Sequence, residues 1–561
     1  MDNPAVLPDR DTSFSTVRED GIDWIIDASC RPLIPAAVLG MLLQPVHGSQ
    51  SRIIRENKVR RSMLIRIPQL PEALFAKLYK KPVGAEKLKY FLLPSKASAE
   101  WKNMLKLYER GLPVARPLAR GEKRRRGFLQ EAYLFTVALA GAIPLTDFAA
   151  GIRDFAGRMR LEEKAARLVS EIHNRGFFFR DLHAGNILIV PESGTGYHMW
   201  LADFHKAWHT GWVLSRMRAR DLAQLRNSLS VSTTGQVRFL KAYLRHANLP
   251  PNYLRKLALQ IDHTSKKLWS THLRSRTRRC LKESSEFSVT AAKGLRMYRH
   301  KIYPEGLLDT LLEEYACPSH NNTATLKKTA KETISLLTAA YDGIEYKVVV
   351  KESFCATLLA RLRYVLFSSR ARRNWIAARA LRVRGIPTPD ALALVEYRSG
   401  PLLKRSLLFT LYVEGAHELN AYVLSRYGGV LSSATRQEKK RFIQTLAELI
   451  RDMHARGIYH ADMKSNNILV REDGDAWKLF IIDLDRVRFR KSLSFKERAN
   501  NLAQINASVA ACITPADRIL FFRHYTKGRL PAREAKQYFR QIMAMGRKKN
   551  TKPYGLEFKE P

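Results

Sequence analysis

Two stretches of the chain carry the same polar residues at the same spacing: an aspartate five positions before an asparagine, and a second aspartate at the end of a later apolar run. These residues are Asp181, Asn186 and Asp203 in the first stretch and Asp462, Asn467 and Asp483 in the second. One Asp and one Asn in a single loop usually only form a turn. Because the whole pattern occurs twice, we expect it to do chemistry.

Phosphoryl transfer is a reaction that needs these groups. A carboxylate orients or deprotonates the acceptor hydroxyl, and divalent metal neutralises the charge that spreads over the transferred phosphate. Asp181 and Asp462 suit the first role. Mg²⁺ prefers hard oxygen ligands and keeps waters, so a carboxylate and an amide oxygen complete its shell together with nucleotide phosphates. The predicted metal pairs are Asn186 with Asp203, and Asn467 with Asp483.

The elements that must hold these groups can be read from periodicity and chain breakers. Apolar runs after each asparagine and before each second aspartate predict adjacent strands that form a rigid platform. Upstream, each half predicts a strand, a helix ended by Gly and then Pro, another strand, and a longer helix closed by Gly176 or Gly457. The predicted ranges are 73–79, 100–110, 132–139 and 164–174 in the first half, and 345–351, 374–384, 406–413 and 440–455 in the second.

The chain matches itself at a shift near 275 residues, which is the length of a domain and far longer than a solenoid repeat. Arg-Gly-Leu-Pro at 110–113 matches Arg-Gly-Ile-Pro at 384–387, and Leu-Ala-Gln occurs at 222–224 and 502–504. Phe14 and Gly21 likewise match Phe287 and Gly294. We therefore predict an α+β fold with two tandem domains, 1–274 and 275–561, each a strand-rich lobe followed by a helical lobe.

These patterns resemble the protein-kinase-like superfamily, whose catalytic loop reads H-R-D with a following Asn and whose metal aspartate lies in D-F-G. Within it the chain resembles the bacterial lipopolysaccharide core kinases, the Kdo and heptose kinase family. The resemblance rests on Arg-Asp-Leu-His-Ala-Gly-Asn-Ile-Leu at 180–188, on Glu-Trp at 100–101, and on Arg-Gly-Leu-Pro-Val-Ala-Arg-Pro-Leu-Ala at 110–119. It covers nearly all of both halves, and it implies two bilobal protein-kinase-like domains that use ATP and Mg²⁺.

The resemblance also implies a strand lysine that grips the nucleotide phosphates and a helix glutamate that holds this lysine. Lys77 and Lys351 match the lysine, and Glu100 matches the glutamate. The second half has Asn374 at the register of Glu100, so we expect Lys351 to lack its partner and that half to bind nucleotide weakly or differently. Lys464 matches the loop lysine that, in protein kinases, steadies the transferred phosphate.

Several positions depart from the family pattern. Phe179 replaces the loop histidine in the first half and is expected to pack on the strand that ends at Asp203, whereas the second half keeps His460. The stretches 55–61 and 328–332, which precede the strand lysines, contain no glycine; Arg55, Lys58 or Arg60 could hold phosphate instead, or simply form a solvated basic turn. No A-P-E follows either metal aspartate, which favours a small-molecule or glycan acceptor over a protein.

Charge and cysteine usage indicate the partners and the compartment. Lys and Arg number 96 against 52 Asp and Glu, a formal charge of +44, so an anionic glycolipid and an anionic membrane surface are expected partners. Nucleic acid is not expected, because no basic stripe is interleaved with aromatic residues. Five widely spaced cysteines, an apolar run at 33–43 too short to span a bilayer, and no secretory signal predict a cytoplasmic protein, peripheral at the inner face of the cytoplasmic membrane.

We therefore predict ATP-dependent phosphorylation of a sugar hydroxyl of the lipopolysaccharide inner core, on Kdo or heptose. Two alternatives stay open from the sequence. The same scaffold could phosphorylate another soluble sugar, an antibiotic or a protein, or one half could be a regulatory pseudokinase beside an active half. The sequence does not indicate the oligomeric state.

Overall fold

The computed structural model describes residues 13–31, 51–57, 59–67, 70, 72–192, 196–229, 231–292, 294–317, 323–355, 357–528 and 531–547. The apolar run at 33–43, the N-terminal residues and Lys58 lie outside this range. The chain divides into two compact units, unit 1 (Met1–Trp269) and unit 2 (Ser270–Pro561). Both this division and the predicted boundary near residue 275 fall within one helix, Tyr253–Arg278.

Unit 1 begins with a strand-rich lobe built on a seven-stranded antiparallel sheet. Its strand order is β1-β2-β6-β7-β5-β4-β3. The strands are β1 (Phe14–Glu19), β2 (Ile22–Asp27), β3 (Ser51–Glu56), β4 (Arg60–Ile65), β5 (Leu74–Tyr79), β6 (Pro117–Arg125) and β7 (Phe128–Val137). Two helices, α1 (Ala85–Leu92) and α2 (Lys96–Glu109), lie between β5 and β6 in the chain. Trp24, Ala76 and Phe135 form part of the buried core of this sheet.

The second lobe of unit 1 is mainly helical. Its helices are α3 (Leu145–Gly151), α4 (Phe155–Asn174), α5 (Ser215–Ser228), α6 (Thr233–His246) and α7 (Tyr253–Arg278). Its short strands are β8 (Ile143–Pro144), β9 (Phe177–Phe178), β10 (Ile187–Pro191), β11 (Tyr197–Leu201) and β12 (Trp208–His209). They form one small sheet in the order β11-β10-β8 and a two-stranded pair, β12-β9. Ile172, Phe177 and Ile187 are fully buried where helix α4 meets these strands.

Unit 2 repeats this order in its own strand-rich lobe. Its seven-stranded sheet has the order β13-β14-β18-β19-β17-β16-β15. The strands are β13 (Phe287–Ala292), β14 (Leu295–His300), β15 (Thr323–Lys328), β16 (Glu332–Tyr341), β17 (Ile344–Phe354), β18 (Ala391–Ser399) and β19 (Leu402–Leu411). The helices of this lobe are α8 (Leu307–Ala316), α9 (Leu358–Leu366) and α10 (Arg370–Val383).

The helical lobe of unit 2 contains helices α11 (Leu419–Tyr427), α12 (Ser433–Ala455), α13 (Phe495–Ser508), α14 (Pro515–Thr526) and α15 (Ala532–Arg547). Its strands are β20 (Ala416–Glu418), β21 (Ile458–His460), β22 (Ile468–Asp473), β23 (Ala476–Ile481) and β24 (Val487–Phe489). Because the two units share one strand order and one succession of lobes, the predicted α+β, tandem bilobal fold is confirmed.

Glycine stops end the helices that lead into the functional loops. Helix α2 is followed by Gly111 (φ 66°) and helix α10 by Gly385 (φ 67°); helices α4 and α12 are followed by Gly176 (φ 79°) and Gly457 (φ 69°). Glycine adopts this left-handed backbone without the steric cost of a Cβ atom. The sequence predicted these ends well. It predicted the starts of α4 and α12 too late, because their caps, Asp154 and Ser432, precede mixed polar turns without clear apolar periodicity.

Gly176 combines a left-handed backbone with a close backbone neighbour. A Cβ atom there would lie 2.5 Å from the carbonyl oxygen of Gly211. We expect Gly176→Ala to lower the free energy of unfolding by more than about 2 kcal/mol in urea denaturation, since a left-handed residue and a backbone clash add. Gly141→Ala is the matched control: Gly141 is also left-handed (φ 67°) but has open space around it. Equal losses in the two variants would contradict this packing.

Candidate active sites

A strand pair in unit 1 brings the two predicted metal ligands together. Strands β10 and β11 pair antiparallel, with Ile187 opposite Leu201. Asn186 immediately precedes β10, and the backbone N–H of Ala202 donates to the carbonyl oxygen of Asn186 at 2.9 Å. Asp203 is the next residue after Ala202. The hairpin therefore fixes Asn186 and Asp203 beside each other at its open end.

Asp203 has an unusual backbone conformation and cationic neighbours. Its φ of 63° lies in the left-handed region, which is costly for a residue other than glycine and is characteristic of functional sites. His205 Nδ1 lies 2.5 Å from its Oδ1, and Arg60 Nη1 lies 3.6 Å from its Oδ2. Burial would raise the pKa of Asp203, but the His205 hydrogen bond and the charges of Lys77, His205 and Arg60 hold the pKa well below its usual value. The carboxyl group is therefore ionised at neutral pH, as a metal ligand must be.

The predicted lysine–glutamate pair is formed in unit 1. Lys77 Nζ, on strand β5, donates to Glu100 Oε1 of helix α2 at 2.6 Å, and Glu100 is fully buried. Tyr79 OH donates to the other carboxylate oxygen at 2.7 Å. Burial and the Glu100 charge keep the pKa of Tyr79 well above its usual value, so the phenol stays a donor. Two donors thus fix the Glu100 carboxylate that positions Lys77.

Asp181 lies in the loop before β10, with its side chain about one-third exposed. Asn186 Nδ2 donates to the Asp181 backbone carbonyl at 3.1 Å, which leaves the amide oxygen of Asn186 available as a ligand. Lys206 Nζ lies 2.5 Å from Asp181 Oδ2, and Gln224 Nε2 lies 3.4 Å from Asp181 Oδ1. A carboxylate that is accessible and flanked by a cation can accept a proton from a bound hydroxyl group.

A buried carboxylate holds the Asp181 loop of unit 1 by hydrogen bonds. Asp221 of helix α5 is fully buried and accepts the backbone N–H groups of Phe179 at 2.8 Å and Arg180 at 2.9 Å. Arg180 has a left-handed backbone (φ 61°), which turns the chain towards Asp181. Phe179 is buried and packs edge-on against Phe204, with ring centroids 6.0 Å apart. The phenylalanine thus occupies the position of the family histidine beside Asp203.

Unit 2 reproduces the hairpin and the loop. Ile468 pairs with Ile481, the Ile482 N–H donates to the Asn467 carbonyl oxygen at 3.0 Å, and Asp483 follows with φ 55°. Asn467 Nδ2 donates to the backbone carbonyl of Asp462 at 2.7 Å. The predicted ligands Asn467 and Asp483 are therefore neighbours, as their counterparts are in unit 1.

The loop of unit 2 is held by amides instead of a carboxylate. Asn501 of helix α13 donates to the His460 carbonyl oxygen at 2.6 Å, and Gln504 Nε2 donates to the Ala461 carbonyl oxygen at 2.9 Å. His460 Nε2 lies 3.2 Å from the Ile482 carbonyl oxygen, and so it links the loop to the strand that leads to Asp483. Lys464 Nζ lies 3.2 Å from Asp462 Oδ1, so these two predicted residues are in contact.

Lys351 of unit 2 has acidic partners that the sequence did not reveal. Asn374, at the register of Glu100, is buried and its side chain donates to the Arg370 carbonyl oxygen at 3.4 Å. Lys351 Nζ instead lies 2.8 Å from Asp483 Oδ1 and 3.6 Å from Glu332 Oε1. Burial alone would lower the pKa of Lys351, but these carboxylates outweigh burial and raise it. The expectation that Lys351 lacks its helix partner agrees with this geometry, yet the lysine is paired elsewhere.

Sequence reasoning missed several residues that shape these sites. Asp221 and Asn501 each lie directly before the repeated Leu-Ala-Gln, and that repeat was a usable signal for them. Arg60 was one of three options for phosphate, of which Arg55 is exposed and Lys58 is outside the described residues. Glu332 and Tyr79 gave no signal, because their importance depends on strand register.

The oxygen ligands present suit Mg²⁺ bound together with a nucleotide. Asp203 supplies an ionised carboxylate and Asn186 a free amide oxygen, and phosphates and waters would complete such a shell. Within the described ranges no group of three or more His, Cys, Asp and Glu side chains could hold a metal without a ligand's help. The donor set therefore fits a metal that arrives with the nucleotide.

A strand-rich lobe, a lysine–glutamate pair and an Asp-Asn-Asp constellation at the mouth of a helical lobe define the protein-kinase-like class. The sequence model of the Lipopolysaccharide kinase (Kdo/WaaP) family matches residues 44–243 and 328–525, once in each unit. The chain belongs to this family and is a tandem duplication of it. The predicted kinase class is thereby confirmed.

Individual relatives are more distant. The chain is 26% identical over 217 residues to the lipopolysaccharide core heptose(I) kinase WaaP of Pseudomonas aeruginosa, which covers 36% of this chain and 80% of that protein. It is 36% identical over 139 residues to the 3-deoxy-D-manno-octulosonic acid kinase of Xanthomonas campestris pv. campestris, which covers 24% of this chain and half of that protein. A solved structure of WaaP in complex with acyl carrier protein is 21% identical and covers 44% of this chain and 99% of that chain, with a TM-score of 0.34.

The Asp221 anchor gives a direct prediction for unit 1. Asp221→Ala leaves the buried Phe179 N–H and the partly buried Arg180 N–H without their acceptor, so we expect the free energy of unfolding to fall by about 3 kcal/mol in urea denaturation. Asp221→Asn keeps one acceptor oxygen, as Asn501 does for the His460 N–H in unit 2; we expect it to lose less than the Ala variant, about 1–2 kcal/mol. A loss for Asn as large as for Ala would show that the amide cannot replace the carboxylate here.

Proposed function

We propose that the chain transfers the γ-phosphate of ATP to a sugar hydroxyl of the lipopolysaccharide inner core, on Kdo or heptose. The observation that carries this proposal is the convergence in unit 1 of Asp181, Asn186 and Asp203 opposite the buried pair of Lys77 and Glu100. Membership of the family supports the sugar acceptor, and the kinases named among its relatives act on heptose or 3-deoxy-D-manno-octulosonic acid.

In the proposed reaction, Asp181 accepts the proton of the sugar hydroxyl while the oxygen of that hydroxyl forms a bond to the γ-phosphorus. The bond from this phosphorus to the bridging oxygen breaks, and ADP leaves with the electron pair. Lys77 orients the departing phosphates, and Glu100 fixes Lys77. Lys206 lies next to Asp181 and would stabilise the negative charge of the phosphate as it is transferred. Asn186 and Asp203 would hold Mg²⁺, which neutralises charge on the phosphates.

Exposed aromatic side chains beside the loop support a glycan acceptor. Trp208 and Trp212 are 56% and 80% exposed, and the Arg180 guanidinium lies 5.2 Å from the ring centroid of Trp208. Flat, amphipathic rings bind partners that offer both apolar C–H faces and hydroxyl groups, as sugars do. The Arg180 guanidinium beside Trp208 adds a cation for an anionic sugar. The chain between Asp203 and helix α5 also lacks A-P-E, so a platform for a protein substrate is not supported.

The transfer chemistry predicts a strong effect at Asp181. We expect Asp181→Asn to lower phosphate transfer from labelled ATP to purified inner-core glycolipid by at least about 100-fold, because the amide cannot accept the proton. Asp147→Asn, an exposed aspartate in helix α3, is the control and should keep full activity. Wild-type chain that labels no glycan acceptor would overturn the proposed function, and labelling of soluble sugars alone would favour the soluble-kinase alternative.

We further propose that the protein acts at an anionic bilayer surface, through a short exposed helix that follows the strand lysine in each unit. Helix α1 and the residue after it expose Leu88, Leu92 and Leu93, which are 65%, 76% and 53% accessible. Helix α9 with the next residue exposes Leu366 and Phe367, which are 84% and 63% accessible. Exposed apolar side chains of this size favour an apolar partner.

Charge complementarity favours a bilayer over a protein as this partner. Lys87 and Lys89 lie on helix α1, and Arg361 and Arg363 lie on helix α9. Apolar side chains that insert beneath anionic headgroups, with basic residues between them, are the features of interfacial helices. The net charge of +44 adds long-range attraction to the same surface. Within the described part of the chain, no helix combines the length and the hydrophobicity required to cross a bilayer.

Vesicle sedimentation tests this surface. We expect salt-sensitive binding to phosphatidylglycerol vesicles, weaker binding to phosphatidylcholine vesicles, and a loss of about tenfold or more in affinity for Leu92→Glu combined with Leu366→Glu. Val430→Glu is the control, because Val430 is fully exposed away from both helices in the sequence. An effect of the double variant no larger than that of the control would contradict the assignment of these helices.

A further inference from the structure

One strand position carries opposite charges in the two units. In unit 1, Ser62 of β4 pairs with Lys77 of β5. Arg60 precedes Ser62 by two residues, so it projects from the same face of the sheet as Lys77. Its guanidinium lies 3.6 Å from Asp203, and both side chains are about three-quarters buried. Arg60 and Lys77 therefore present two cations to the site beside Asp203.

In unit 2 the corresponding residue is an acid. Ile334 of β16 pairs with Lys351 of β17, and Glu332 precedes Ile334 by two residues. Glu332 lies 3.6 Å from Lys351, which also contacts Asp483 at 2.8 Å. The strand lysine of unit 2 thus lies between two carboxylates. One of them, Glu332, occupies the position at which unit 1 has its second cation, Arg60.

Two further positions also differ between the units. One adds a negative charge in unit 2, and the other removes the helix partner of the strand lysine. The residue two positions after the metal aspartate is His205 in unit 1 and Asp485 in unit 2. The buried helix position of Glu100, the partner of Lys77, is occupied in unit 2 by Asn374, whose side chain donates to the Arg370 carbonyl oxygen instead. In unit 1 the strand lysine contacts Glu100 of helix α2. In unit 2 it contacts Glu332 of the β15–β16 hairpin, which precedes the lysine strand β17. In the protein-kinase-like class this hairpin covers the phosphates.

A triphosphate responds to these differences by electrostatics. Two cations facing the phosphates attract it, whereas a carboxylate on the covering hairpin repels it and also occupies the lysine that would bind it. These groups are partly buried, so solvent screens them less than surface charges. The sites therefore differ in sign where the phosphates would lie, although their hairpin and loop backbones match.

We propose that this strand position decides which unit holds the nucleotide: Arg60 makes unit 1 the triphosphate site, and Glu332 keeps the triphosphate out of unit 2. Unit 1 then carries the transfer, and unit 2 is a non-transferring copy. This inference rests on the proposed function for the identity of the ligand, ATP, and it is independent of the acceptor.

The competing interpretation is that Glu332 replaces Glu100 and orients Lys351 for catalysis. The two interpretations predict opposite signs for one substitution. If Glu332 excludes the triphosphate, Glu332→Gln strengthens nucleotide labelling of unit 2. If Glu332 orients Lys351, the same change weakens it.

Photolabelling of the full chain with 8-azido-ATP and Mg²⁺, followed by mass spectrometry of peptides, assigns bound nucleotide to each unit without any acceptor. We expect ATP-competable label in unit 1 alone for the wild type, and at least about tenfold less label in unit 1 for Arg60→Glu. We expect Glu332→Gln, and more strongly Glu332→Arg, to produce label in unit 2. Glu345→Gln is the matched control, an exposed acid on β17, and should change nothing.

Two results would overturn the proposal. One is labelling of unit 2 in the wild type that decreases in the Glu332→Gln variant. The other is a unit 2 that stays unlabelled in both Glu332 variants. Circular dichroism melting of each variant shows whether the fold is intact. Because photolabelling needs no sugar acceptor, the labelling result can be interpreted even if glycolipid phosphorylation fails. Likewise, a negative labelling result does not alter the test of glycolipid phosphorylation.

Discussion

The closure of one short antiparallel hairpin fixes the positions of the candidate metal ligands in each unit. Its last backbone hydrogen bond, from Ala202 to Asn186 in unit 1 and from Ile482 to Asn467 in unit 2, joins the end of one strand to the start of the other. The asparagine and the second aspartate then have no freedom to separate. Asp203 and Asp483 both have a left-handed backbone at this point, so a conformation that is costly for a residue other than glycine recurs in both copies.

Around this fixed pair, each unit uses buried polar groups to set the remaining geometry. The fully buried Asp221 holds the loop that presents Asp181, and Glu100 with Tyr79 holds the lysine. Buried hydrogen-bonded groups of this kind are rigid, because leaving any one of them unpaired is expensive. These groups are therefore held in a pre-formed arrangement.

Much of this could be predicted from the sequence, for identifiable reasons. The loop residues Asp181 and Asn186 are close in sequence and recur in the other half, so spacing alone exposed them. Helix ends were predictable because Gly111 and Gly176 are required by local backbone geometry. The tandem lobes followed from the repeat, which also fixed the order of strands and helices.

What escaped prediction depends on contacts across the sheet. Glu332 reaches Lys351 only because two strands pair in one register, and no local pattern reports that register. The sequence showed the loss of the Glu100 counterpart and predicted that Lys351 lacks its helix partner, but it did not reveal the acids that Lys351 contacts instead. The same limit applies to Arg60, whose value lies in its distance from Asp203 and not in the basic run around it.

The role of the Asn186–Asp203 pair as a metal site can be tested with crystals of the full chain grown with Mn²⁺ and a non-hydrolysable ATP analogue. We expect an anomalous peak for the metal within bonding distance of the Asn186 amide oxygen and an Asp203 carboxylate oxygen, with the phosphates beside Lys77. A metal bound elsewhere in unit 1, or a nucleotide whose phosphates lie away from the Asn186–Asp203 pair, would contradict it.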